Sequence, residues 1–184
     1  MGLTPCLARR GQEAVIRQAL VEQRVKNALA DAGQWRPPVN LDEICKRNGL
    51  ALRRGQRLGR QQAHYDQDRA EIAVSEGRQG WAERFSIAHE LGHALMEHGS
   101  QECYMGSISV EAVPLDEADT GVNYEAEADA FADALLIPKE WLKRAVIDEG
   151  LTINELREAF EATAPVMFIA LDNTRGLLNK VRTE

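Results

Sequence analysis

Apolar residues recur at helical spacing over residues 12–32. Val15, Leu20, Val21, Val25 and Leu29 form one loose stripe, and Gly33 follows as a stop. The Pro37–Pro38 pair in "WRPPVN" breaks the chain, because each proline disfavours helix around it. A short helix then opens at Asn40, an N-capping residue with Glu43 three positions on, and closes at Gly49. Polar–apolar alternation takes over at 50–54, 62–66 and 70–76, and predicts three strands in a small antiparallel sheet. Helical spacing returns over 81–98. Residues 99–122 are polar and acidic without clear period, a length that points to a surface loop or to one bordering a site. Four more helices are predicted at 123–136, 139–148, 152–162 and 164–172, with Thr152 and Glu155 in capping-box positions on the third. The pattern predicts an α+β fold, a mostly helical body against a three-stranded antiparallel sheet with C-terminal helices beyond it. The expected organisation is an N-terminal helix in 1–35, a central domain over 36–140 and a helical subdomain over 141–184.

Composition narrows the class. The 184 residues are 44% hydrophobic and 28% charged, with a formal net charge of −7. That balance suits a soluble globular protein and argues against a broad nucleic-acid footprint. The four arginines of "LRRGQRLGR" (52–60) read as a solvated turn and strand edge. Cys6, Cys45 and Cys103 are odd in number and widely spaced, which fits a reducing compartment and neither a disulfide frame nor a thiolate zinc site. With no 18-residue apolar run and no apolar leader in "MGLTPCLARRGQ", the expected location is the cytoplasm, away from any membrane.

The chemistry is concentrated in "RFSIAHELGHALMEH" (84–98), which holds three of the four histidines. With His89 at 0° on a helix, Glu90 falls at about 100° and His93 at about 40°. Two imidazoles are then adjacent with a carboxylate beside them, the arrangement in which a pair of histidines grips a metal ion. Without a metal they would be two core histidines satisfied by protein hydrogen bonds. Continuing the helix puts His98 at about 180°, on the opposite face, which removes it from the ligand set. Catalytic zinc sites take a third protein ligand. His64 is one candidate. Glu125, in "NYEAEADAFADALLIP", is the better one, since it lies about 50° from the centre of that helix's apolar stripe, against about 110° for Glu127. Asp129 lies about 40° from Glu125 and could accept a hydrogen bond from the far nitrogen of a ligating histidine. Read by themselves, Glu125 and Asp129 are also an ordinary polar flank of an amphipathic helix.

Together, "RFSIAHELGHALMEH" and "YEAEADAFADALLIP" resemble the ImmA/IrrE family of metallo-endopeptidases. The second pattern starts at Glu125 and runs through Ala128, Asp129, Phe131, Ala132, Leu135, Leu136 and Pro138. Weaker similarity reaches back through "PPVNLDEICKRNGLALRR" and "AHYDQDRAEIAVSE", so the likeness covers roughly residues 36 to 140. The resemblance implies a zincin-like core of gluzincin type, with one Zn2+ held by His89, His93 and Glu125 and with Glu90 as the catalytic carboxylate; manganese or iron would suit the same donors. It further implies a protein substrate, such as a DNA-binding transcriptional repressor, in a bacterial or phage setting. Two segments depart from the family pattern: residues 1–35 offer one helix, too little for a helix-turn-helix, and 139–184 match loosely.

The expected chemistry is peptide hydrolysis by metal-activated water, with Glu90 as general base. Tyr104 and Tyr124 are candidates for a further donor to the oxyanion. The competing expectation is a regulatory binding module that sequesters a repressor or another partner protein without cutting it.

Overall fold

The computed structural model describes residues 16–98, 122–174 and 176–181. The first half holds helix α1 (Gln18–Asp31), helix α2 (Leu41–Arg47), strands β1 (Ala51–Gln56), β2 (Ala63–Asp66) and β3 (Glu71–Ser75), and helix α3 (Gly80–Leu95). After the segment that carries Tyr104, which lies outside the described residues, come α4 (Tyr124–Leu136), α5 (Lys139–Ile147), α6 (Ile153–Ala159), α7 (Ala164–Asn173) and a 3-10 turn (Leu178–Lys180). The fold is α+β and mostly helical.

Local chemistry sets several boundaries. The Asn40 side chain accepts from the Glu43 amide and starts α2, and Asn123 does the same for α4 through the Ala126 amide. Thr152 and Glu155 form a reciprocal capping box on α6. Gly49, at φ +72°, turns the chain out of α2 in a left-handed conformation that costs glycine nothing.

The sheet corrects the expected antiparallel arrangement, because it is mixed. Its order is β1–β3–β2, with β1 parallel to β3 and β2 antiparallel to β3. Strand alternation carries no information about order. The buried Ile72 and Val74 draw β3 to the centre, and β1 pairs along its other edge, with Leu52 opposite Ile72. Buried Ala63 and Tyr65 of β2 join the core on the side where β2 and β3 meet α3. Three of the four arginines of the basic run have acidic partners within the chain. Arg54 binds both Asp42 oxygens, at 2.8 and 2.7 Å, and Glu83 at 2.7 Å, so β1, α2 and α3 are tied together. Arg53 pairs with Glu71, and Arg57 with Glu76.

Helices α3 and α4 pack face to face at the centre, with α1 on the outer side of α4. The apolar core runs through all of them, from Val21 on α1 through Leu91 and Phe131 to Trp141 on α5 and Leu171 on α7. No helix among the described residues is long and apolar enough to cross a membrane.

Candidate metal centre

Gly92, between the two histidines of α3, lets α4 come very close. A methyl group there would lie 3.0 Å from the Ala128 Cα, 3.2 Å from its carbonyl oxygen and 3.2 Å from the Phe131 Cβ. Ala128 is one turn beyond Glu125, so this contact brings Glu125 over the histidine pair. The signal in the sequence is a glycine inside an apolar helix, which is unfavourable unless something approaches the backbone closely.

The imidazoles of His89 and His93 turn their Nε2 atoms toward each other at 3.1 Å. Glu125 presents Oε2 at 3.5 Å from the first and Oε1 at 3.4 Å from the second. Among the described residues, these three form a group whose ligand atoms all lie within 4.8 Å of one another. His64, on β2 opposite Ala73, is not part of it. Asp129 Oδ1 lies 2.9 Å from His89 Nδ1. A carboxylate accepting from Nδ1–H leaves the His89 Nε2 lone pair directed inward. Two imidazole nitrogens and a carboxylate are donors that suit zinc and neighbouring divalent ions, so the residues present fit a metal. Burial first, then the neighbouring His89, pushes His93 down to about 3 against the pull of Glu125, so protons do not occupy its lone pair near neutral pH. Glu90 is buried on the same helix, 1% exposed, and next in sequence to His89.

Two expectations from helical geometry are corrected. The helix predicted to run to residue 98 ends at Leu95. Glu97 takes φ +63°, the His98 amide bonds the His93 carbonyl at 3.0 Å, and the Glu97 amide reaches the Ala94 carbonyl at 3.4 Å. This is a Schellman closure with glutamate in the left-handed position, and it folds His98 back to place its Nδ1 3.2 Å from His93 Nδ1. His98 is not in the metal group, but it supports it from behind. The second correction concerns burial. Glu127, placed farther from the apolar stripe than Glu125, is fully buried, while the Glu125 side chain is 53% exposed. The cover over Glu127 comes from Arg17 and His98, which the periodicity of α4 does not register. The Tyr124 ring stacks on His98, with centroids 4.6 Å apart.

A mostly helical α+β domain that brings two histidines of one helix and a glutamate of another to a single point has the architecture of a metallopeptidase-type domain. Residues 56–167 match the peptidase M78 family, described as IrrE N-terminal-like domain, and the chain belongs to that family. A comparison with curated proteins gives no match. Among solved structures, a Mycobacterium tuberculosis transcriptional regulator aligns with a TM-score of 0.53 at 14% identity, covering 83% of this chain and 46% of that one. The likeness is one of fold, and this chain spans about half the length of that relative.

Proposed function

We propose that the protein is a metal-dependent endopeptidase that cleaves a specific protein, such as a transcriptional repressor. The observation that carries this reading is the convergence of His89, His93 and Glu125 on one point, with the buried Glu90 next to His89 in the same helix. When bound there, a divalent ion such as Zn2+ supplies Lewis acidity, lowering the pKa of water toward about 7 and polarising the scissile carbonyl. Glu90 takes the proton as water attacks and returns it to the leaving amine. Asp129 holds the His89 ring in the tautomer that offers Nε2. Tyr124 and Tyr104 are the candidates for a donor to the oxyanion.

The family membership supports peptide hydrolysis, and the choice of a repressor follows from resemblance to the ImmA/IrrE proteins. Purified protein should carry about one metal ion per chain, held by the three proposed ligands. Glu90→Gln should keep that ion and slow cleavage of a repressor encoded nearby by at least about 10²-fold. If Glu90→Gln cuts as fast as wild type, the mechanism is wrong. If it relieves repression in cells while the repressor stays intact, the protein acts by sequestration.

A further inference from the structure

We infer that Arg17, Glu127 and His98 form a relay behind His93 that selects which of its ring nitrogens is offered to the metal. The inference rests on the proposed metal site, but its residues lie outside the ligand set.

The polarity of the relay is set at its far end. Arg17 gives Glu127 its backbone N–H at 2.6 Å, Nε at 2.9 and 3.2 Å and Nη2 at 2.7 Å, so both carboxylate oxygens are engaged by a cation. A carboxylate whose two oxygens both take N–H donors from a guanidinium is one half of an ion pair, and it is ionised. An ionised carboxylate only accepts. His98 Nε2, 3.0 Å away, must therefore donate to Glu127 Oε2. The Arg17 charge already balances that of Glu127, so the buried His98 ring beside the pair is the neutral imidazole. A neutral imidazole carries one N–H, so His98 Nδ1 is an acceptor. His93 Nδ1, at 3.2 Å, must then be the donor, and the remaining lone pair of His93 sits on Nε2, facing His89 and Glu125.

The two metal-site histidines thus reach one tautomer by different routes. His89 is backed directly by Asp129, whose side chain is 53% exposed. His93 is backed by a second imidazole and a fully buried carboxylate. The plane of His98 is held by the stacked Tyr124 ring, and the Arg17 guanidinium lies 5.9 Å from the centroid of that ring. Arg17, Glu127 and His98 are positioning residues, since none belongs to the proposed ligand set.

Three measurements test the relay. Zn2+ affinity, read by chelator competition, should fall about 10–100-fold in His98→Ala and return to within about threefold of wild type in His98→Gln, whose amide both accepts and donates. Glu127→Gln should also weaken Zn2+, but should add nothing in the His98→Ala background, because its effect passes through that ring. In Zn2+-loaded wild type, long-range ¹H–¹⁵N spectra should show His98 protonated at Nε2 and His93 at Nδ1, a readout that requires no variant to fold. Wild type that binds no metal overturns both the metal site and the relay. Wild type that binds Zn2+, with His98 protonated at Nδ1 or with His98→Ala binding as tightly, overturns the relay alone. Additive losses in the double variant do the same.

Discussion

Replacing Gly92 by alanine probes the contact that brings the two halves of the metal centre together. The new methyl would sit 3.0 Å from the Ala128 Cα and 3.2 Å from both the Ala128 oxygen and the Phe131 Cβ. Comfortable carbon–carbon separation is about 3.5–4.0 Å, so α4 must retreat by roughly 0.5 Å or more. The nearest atoms are backbone, and no rotamer change can move them aside. Overpacking of this kind costs about 1–3 kcal/mol, and the better helix propensity of alanine returns about 1 kcal/mol. The net loss is about 1 kcal/mol, a fall in Tm of about 2–4 °C for a chain of this size. Metal binding should suffer more than folding, because ligand distances tolerate only about 0.2 Å and Glu125 travels with α4. Chelator competition on the folded variant should show Zn2+ affinity reduced about 10-fold or more. A second change, Ala128→Gly, should not restore it, since the clash is with Cα and carbonyl. Wild-type Tm together with wild-type Zn2+ affinity in Gly92→Ala would refute the idea that this close approach sets the position of Glu125.

Two further predictions concern residues outside the ligand set. Glu97 stands at φ +63°, where an L-residue is strained and glycine is not, and its ion pair to Arg24 is exposed and adds little. Glu97→Gly should raise stability by about 0.5–1 kcal/mol in thermal denaturation and keep metal affinity, because the helix closure persists; a lower Tm would show that the turn is not strained. Burial pushes the Cys45 thiol from 9.0 up to about 12, and the residue is 1% exposed. Mass-spectrometric mapping should find Cys45 unmodified by iodoacetamide at pH 8 in native protein and fully modified after denaturation; rapid native labelling would contradict its placement. The folded thiol holds its proton where the unfolded one has lost it, so the stability it contributes is present below about pH 9 and is lost as pH rises toward about 12.

Features governed by neighbours along the chain are legible in the amino-acid order. Asn40, Asn123 and Thr152 cap the helices that follow them because a side-chain oxygen meets an amide three residues on. The histidine pair is adjacent because four residues make about one helical turn, and Glu125 and Asp129 share a face for the same reason. The two motifs that carry the resemblance to a metallopeptidase family, around His89 and from Glu125 onward, are likewise contiguous stretches of chain.

What the chain does not disclose depends on partners far away along it. Strand alternation cannot say that β3 lies between β1 and β2, since each strand looks the same to its own residues whichever neighbour it takes. The helical wheel of α4 puts Glu125 nearer the buried seam than Glu127, but burial is a property of what packs on a side chain. Arg17, 110 positions away, and the folded-back His98 cover Glu127. The return of His98 has no glycine to announce it, because Glu97 occupies the left-handed position. Sequence alone determined which residues could bind a metal and on which helices they lie. Tertiary structure decided how those helices meet at Gly92, which carboxylate faces the histidines and which stands behind them, because only packing joins groups that local periodicity treats as independent.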